Sequence, residues 1–244
     1  MRIRLRQVAL VARDLGAVER AIGETFGLSL CYRDPGVATF GLTNALFAVG
    51  DKLLEVVSPN IDGTTAGRLL DKRGGDCGYM VIVQVDDLDE MRIRFANETV
   101  RIVFEAKVRG VTGLHVHPRD VGGAILSVDQ TDDWDEWPWA GPDWKQLSAG
   151  PLTDIRAVEI QAQDPAGMAD RWARVLGRTA VANSITLDEG EIRFLPVVAV
   201  PSAIEERGEG VVGIEFASRN GLERSVTLGG CEMRIVPDSR AVKA

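Results

Sequence analysis

One glutamate, one glutamine and two histidines are the side chains through which this sequence could do chemistry. Glu55 stands alone in the apolar run LLEVV. Side chains alternate along a strand, so Glu55 shares a face with Leu53 and Val57. Two apolar neighbours argue against simple exposure, and a carboxyl that instead points into a site would be desolvated, with its pKa raised. The bland alternative is an outward residue on a half-exposed strand. Gln7 is read in the same way, on a face with Leu5, Ala9 and Val11, although a neutral amide is more cheaply satisfied by hydrogen bonds. His115 and His117 are the only histidines, two apart on a strand-like run, so both rings are expected on one side. Such a pair suits a transition metal, or one ring can act as a general base near neutral pH. The alternative is that His117 packs into the Pro118 turn and His115 is a satisfied core or surface residue.

Other chemistry is weaker. Cys31, Cys77 and Cys231 are odd in number and form no CxxC pair, so reduced thiols are expected. Cys77, in GGDCG, has no neighbour to activate it. GEGVVG at 208–213 fits a phosphate-loop pattern by letters, but it precedes a strand rather than a helix. The net charge of −8 with no basic run disfavours nucleic acid and anionic membranes as partners. No run of about 18 apolar residues spans a membrane. The opening MRIRLRQVALVARDLG lacks the apolar stretch of a signal peptide, so a cytoplasmic location is expected.

The elements that must position these residues recur. Leu5 to Ala12 reads as a strand, Asp14 as an N-cap, and Val18, Ile22 and Phe26 as one helix stripe that Gly27 ends. The strand-like runs LSLCYR, NALFAVG and KLLEVVSP follow, the last two joined by a tight turn at Gly50-Asp51. The pattern returns at YMVIVQV (79–85), with a helix carrying Leu88, Met91 and Phe95, then RIVFEA, GLHVH and AILSVD. A third copy opens at IRAVEIQAQ, with Asp164 and Pro165 starting a helix and EIRFLPV closing the unit. A fourth, shortened copy opens at GIEFAS, has a brief helix, and ends at CEMRIV. The fold class is therefore α+β, built from repeated βαβββ units. Each unit covers one sheet face with a helix and must pair to cover the other. Residues 1–130 form a first half, 131–150 a connector and 151–244 a shorter second half.

The connector holds Trp134, Trp137, Trp139 and Trp144 among prolines and glycines that forbid a long helix or central strand. It is too aromatic for a disordered linker. It reads as an apolar clasp between the halves, the alternative being that residues such as Trp137 and Trp139 wall a ligand.

The segments QVALVARDL, LLEVVSP, VQVDDLDE and HVHPRDVGGAILSVD resemble the vicinal oxygen chelate superfamily, which includes glyoxalase I, methylmalonyl-CoA epimerase, extradiol dioxygenases and bleomycin-resistance proteins. The likeness is to epimerase-like modules over residues 3–130, and reaches 154–236 through the repeat. It implies a glyoxalase-like fold, with one divalent metal ion in the trough of two paired modules, each giving one ligand from its first strand and one from its last. Carried over position by position, the first module offers Gln7 and Glu55 and the second offers Met80 and Ser127. The first two suit a hard or borderline cation, and the last two are poor ligands. His115 and His117 would replace those missing ligands if they share a site with Glu55. In the second half Ala157, Phe194 and Gly213 take the equivalent places and cannot bind metal, so that half is expected to be structural or to form a dry apolar pocket.

Two functions follow from the resemblance. In one, metal-assisted lyase or isomerase chemistry of the glyoxalase or epimerase kind uses Glu55 and His115 to move a proton beside a carbonyl. In the other, the chain is a metal-free protein that binds or sequesters a small organic molecule. A homodimer fits the superfamily, although four units in one chain can satisfy pairing internally.

Overall fold

The computed structural model describes residues 1–197 and 208–238, and within them two sheets. The first contains β1 (Ile3–Val11), β2 (Leu30–Tyr32), β3 (Leu42–Val49), β4 (Lys52–Pro59), β5 (Cys77–Val85), β6 (Ile102–Val108), β7 (Val111–Val116) and β8 (Ile125–Thr131). Their order is β2-β3-β4-β1-β5-β8-β7-β6. The opening strands β1 and β5 pair antiparallel at the centre, and each lies parallel to the last strand of its own unit, β4 or β8. Two βαβββ units thus join edge to edge into one curled sheet, the glyoxalase-like α+β arrangement that the resemblance implies.

The second sheet comprises β9 (Leu152–Ala162), β10 (Ala180–Val181), β11 (Ser184–Thr186), β12 (Glu191–Pro196), β13 (Gly210–Ser218), β14 (Arg224–Leu228) and β15 (Cys231–Pro237), and repeats the pattern with β9 and β13 at its centre. GEGVVG runs straight into β13, as its rejection as a phosphate loop requires.

The helices that follow the opening strands start by one device. α1 (Leu15–Phe26), α3 (Leu88–Asn97) and α6 (Pro165–Leu176) are capped by Asp14, Asp87 and Asp164, each accepting from the amide three residues on. A side-chain acceptor there satisfies an amide the helix leaves without a partner. Gly27 and Gly177 end α1 and α6 in the left-handed conformation. The fourth unit has no helix: only residues 219–223 separate β13 from β14, too few for two helical turns. Conversely, the structure adds α2 (Thr65–Arg73), whose Ala66 and Leu70 are buried at helical spacing. It also adds the single-turn helices α4 (Pro118–Val121) and α5 (Trp144–Leu147) and a 3-10 helix over Pro35–Phe40. No described helix is long and apolar enough to cross a membrane.

The two sheets share one core. Val8 and Leu10 of β1, Val81 and Val83 of β5, Ile160 of β9 and Phe216 of β13 belong to a single buried cluster with Phe26, Phe95 and Trp172 of the helices. Phe26 meets Phe216 with ring centroids 5.8 Å apart. The strands come so close that a Cβ on Gly78 would lie 2.3 Å from the Cβ of Val211. The helix-bearing faces are thus mutually covered, which leaves each sheet's other face as a separate trough.

At one edge of this contact the β3–β4 turn abuts β9. Lys52 Nζ donates to Asp154 Oδ1 (2.6 Å) and to the Ile155 carbonyl (2.9 Å). Gly50 has φ +60°, and a Cβ there would lie 2.1 Å from the Thr153 carbonyl oxygen. Gly50→Ala is expected to destabilise the chain by at least about 2 kcal/mol, since left-handed strain adds to a backbone clash that no rotamer relieves. Urea denaturation checks this, and an unchanged midpoint would mean the two sheets do not meet at that turn.

Candidate functional site

The first trough is filled at one end and hollow at the other. A second buried cluster lines it, with Ala9 and Val11 of β1, Leu46 and Ala48 of β3, Leu53 and Val57 of β4, Ile82 of β5, and Trp137 and Trp144 from the connector. Trp137 is fully buried, and the Arg6 guanidinium lies 5.1 Å from both the Trp137 and the Trp144 ring centroids. Burial lowers the Arg6 pKa to about 9. The connector is therefore a plug in the first trough rather than a clasp between the halves. Its indoles find apolar cover in the concave face and a buried cation for their ring faces. Trp134 lies outside the plug, over Arg2 and Arg4 at 4.3 and 4.5 Å.

Beside this plug lies a cavity of about 640 Å³. Gln7 and Glu55 both line it and meet directly, Gln7 Nε2 donating to Glu55 Oε2 at 2.8 Å. A β-bulge between Leu5 and Gln7 sets this up. Leu5 joins the shared core, so Gln7 keeps Ala9 and Val11 as face neighbours but not Leu5. Glu55 is only 6% exposed. Its other oxygen, Oε1, accepts from Asn44 Nδ2 at 2.7 Å. Both amides are fixed with their NH2 groups toward the carboxyl. Trp137 Nε1 donates to Gln7 Oε1 at 3.0 Å, and the Asp34 amide donates to Asn44 Oδ1 at 2.9 Å. Desolvation drives the Glu55 pKa up, the two amide donors pull it back, and the charge of Asp34 raises it further.

His115 and His117 part company. His115 lines the cavity in an aromatic cluster, with ring centroids 4.9 Å from Phe104 and 6.0 Å from Phe40. Burial lowers its pKa to about 4, so the ring is neutral at physiological pH. His117 lies one residue beyond the end of β7, where strand alternation no longer applies. Its Nδ1 caps α4 by accepting from the Arg119 amide at 3.1 Å, and it does not line the cavity. The expectation that both rings face one site fails there. Met80 and Trp139 line the cavity, whereas Trp137 acts from behind through Gln7. Ser127 is fully buried outside it and donates to Asp129 Oδ1 at 2.6 Å.

Several cavity residues escaped the sequence reading. Asn44 was legible: the Gly50-Asp51 turn fixes a register in which Leu46 faces Glu55 and Asn44 sits two residues along the same face. Asp34, Phe40 and Arg109 carry no comparable signal, because the short 3-10 helix with its cap and the β6–β7 turn bring them in. Arg109 pairs with Asp34 at 3.0 Å and donates to the Tyr32 hydroxyl at 3.1 Å, tying the β6–β7 turn across the cavity to the opposite edge of the sheet. Burial and the Glu55 charge push the Tyr79 phenol, also in the lining, up to about 12.

The donors do not fit a resident divalent ion. Gln7 and Asn44 turn N–H groups, not oxygens, toward Glu55, and the Gln7 oxygen is engaged by Trp137. Among the described residues no three His, Cys, Asp or Glu side chains converge as metal ligands.

The second trough is not a dry apolar pocket. The pairing of β12 with β9 puts Arg193, not Phe194, at the place of Glu55, and Phe194 instead packs edge-on against Trp172 in the core at 5.8 Å. Ala157 and Gly213 occupy the places of Gln7 and Met80, as read from sequence. Arg193 donates to Glu215 at 2.7 Å and to Glu191 at 2.7 Å, and Arg234 pairs with Glu159. These mutual pairs occupy the trough with charge, and the carboxylate partners raise the pKa of Arg193.

No family model and no curated protein matches this chain. Among solved structures it is similar to a hypothetical protein from Staphylococcus aureus, at 11% identity and a TM-score of 0.73, over 97% of this chain and 100% of that one. Methylmalonyl-CoA epimerase from Mycobacterium tuberculosis matches at 23% identity and a TM-score of 0.48, over 53% of this chain and 89% of that one. A methylmalonyl-CoA epimerase in complex with methylmalonyl-CoA and NH4+ matches at 18% identity and 0.49, over 54% and 96%. The first likeness extends the fold over both sheets.

Proposed function

We propose that the chain binds a small organic molecule in the cavity of its first sheet, without a metal. One observation carries this reading: a cavity of about 640 Å³ with a largely apolar and aromatic lining has two carboxyls, Asp34 paired with Arg109 and Glu55 with both oxygens already tied by protein amides. Cavities of this size and lining suit drug-sized ligands, with a few polar groups setting orientation. The metal-assisted lyase or isomerase reading needs Gln7 and Asn44 to turn their oxygens inward, against the hydrogen bonds that Trp137 and the Asp34 amide make to them.

The test uses the neutral fluorescent probe N-phenyl-1-naphthylamine. The wild-type chain is expected to bind it one to one. Ala106→Trp, which adds bulk to the cavity from a half-buried position on the edge strand β6, is expected to weaken binding at least tenfold while leaving the free energy of unfolding within about 0.5 kcal/mol of wild type. Equal binding by both chains would place the probe elsewhere and remove the cavity from the argument. Elemental analysis of the same preparation separates the two readings. A stoichiometric divalent metal that Glu55→Gln eliminates would restore the metal-assisted one.

A further inference from the structure

The charges around the cavity do not balance. Asp34, Glu55 and Arg109 are its charged lining residues, and Arg109 is committed to Asp34 at 3.0 Å. Glu55 takes part in no ion pair among the described residues, and its two protein partners, Gln7 and Asn44, are neutral. The rings of Phe40, Phe104 and Trp139 also line the cavity, Phe40 and Phe104 with centroids 4.8 Å apart. A desolvated carboxylate with only amide donors is stabilised most by an arriving positive charge, because the attraction is strong where water is excluded. Ring faces add to this by attracting a cation through their quadrupoles, while accommodating an apolar body.

We propose that the cavity selects a lipophilic amine, its protonated nitrogen against Glu55 and its apolar body among Phe40, Phe104 and Trp139. The inference rests on the reading of this cavity as a ligand site and adds the ligand's charge to it. A carboxylic acid ligand is disfavoured by the same imbalance, and a neutral ligand forgoes the ion pair. The titratable and charged groups that line the cavity with Glu55 are Asp34 at the start of the 3-10 helix, Arg109 from the β6–β7 turn, Tyr79 from β5 and His115 from β7. Asp34 is paired with Arg109 yet still adds negative charge toward Glu55, His115 is neutral, and Tyr79 keeps its proton below about pH 12. The proton balance of binding is therefore set by Glu55 and the amine. Where Glu55 holds a proton, an ammonium ion displaces it to solvent.

Isothermal titration of the wild-type chain with 2-(1-naphthyl)ethylamine, 2-(1-naphthyl)ethanol and 1-naphthylacetic acid tests this directly. The amine is expected to bind at least tenfold tighter than the alcohol, and the acid weaker than both. Titrations at pH 5 in two buffers of different ionisation enthalpy are expected to show proton release for the amine alone. Glu55→Gln is expected to bring amine and alcohol to within threefold of each other. If the alcohol binds as well as the amine, the inference falls while the cavity stands as a small-molecule site. If none of the three binds in the wild-type cavity, the reading of the site falls with it. The wild-type comparison decides between these even if the Glu55 variant does not fold.

Discussion

Above pH 8 the Asp129→Asn chain will resist urea better than the wild type by several kcal/mol, and near pH 4 the two will unfold together. Asp129 lies on β8 two residues beyond Ser127, on the trough side, and is fully buried. Its Oδ1 accepts from the Ser127 hydroxyl at 2.6 Å, and its Oδ2 has no hydrogen-bond partner. Desolvation raises its pKa to about 8, and the serine hydrogen bond only partly opposes this. In the unfolded chain the group titrates near its ordinary value of about 3.9. The folded state therefore binds the extra proton between about pH 4 and pH 8, and stability falls as pH rises through that window. A shift of this size corresponds to a loss on the order of 5 kcal/mol, complete once the folded carboxyl has ionised. Asparagine keeps an acceptor for Ser127 and cannot ionise, so it removes the slope without removing the contact. Urea midpoints of both chains from pH 4 to pH 9 measure the difference. Parallel curves would mean that Asp129 ionises freely and is not sealed behind the trough wall.

The position of Asp129 also shows where sequence reading stops. Strand alternation places residues 125, 127 and 129 on one face, and the fold assignment places that face in the trough. What alternation does not say is whether a trough position is open or sealed. That depends on Trp139, whose ring a Cβ on Gly113 would meet at 2.7 Å, with Asp129 Oδ1 at 2.9 Å from the same point. The connector that carries Trp139 has no periodic pattern, so its docking face is decided only by shape and by partners far away in sequence. The elements with strong local signals were legible for the converse reason. An aspartate cap, an apolar stripe and a closing glycine act within one helix, and the Gly50-Asp51 turn fixes a register within one hairpin. Gln7 and Glu55 lie on neighbouring parallel strands, so the βαβββ pattern alone brings them together. His117 defeats the same reasoning by a single residue: the strand ends at Val116, and the ring is used as a helix cap.

Trp137→Ala is expected to lower stability by about 3–5 kcal/mol and to abolish ligand binding, whereas Trp137→Phe should cost about 1–3 kcal/mol and alter binding more selectively. The two variants separate two roles of one side chain. As bulk, the indole is fully buried, packs edge-on against Trp139 at 5.7 Å, and gives the Arg6 guanidinium one of its two ring neighbours. Alanine leaves a cavity the plug cannot close and a buried cation with one ring fewer, so the cavity wall built on Trp139 loses its support. As a donor, Nε1 holds the Gln7 oxygen and so fixes which end of that amide faces Glu55. Phenylalanine keeps most of the volume and removes only the donor. The Gln7 oxygen is then buried without a partner, and the amide is free to turn it toward Glu55. An oxygen there repels a carboxylate, so Glu55 should take up a proton more readily and the preference for an amine over an alcohol should fall in Trp137→Phe. Urea denaturation gives the two stability losses, and the naphthyl amine and alcohol titrations give the change in selectivity. A phenylalanine variant as unstable as the alanine one would show that volume alone does not describe the plug. One that keeps the full amine preference would show that Gln7 is oriented without the indole.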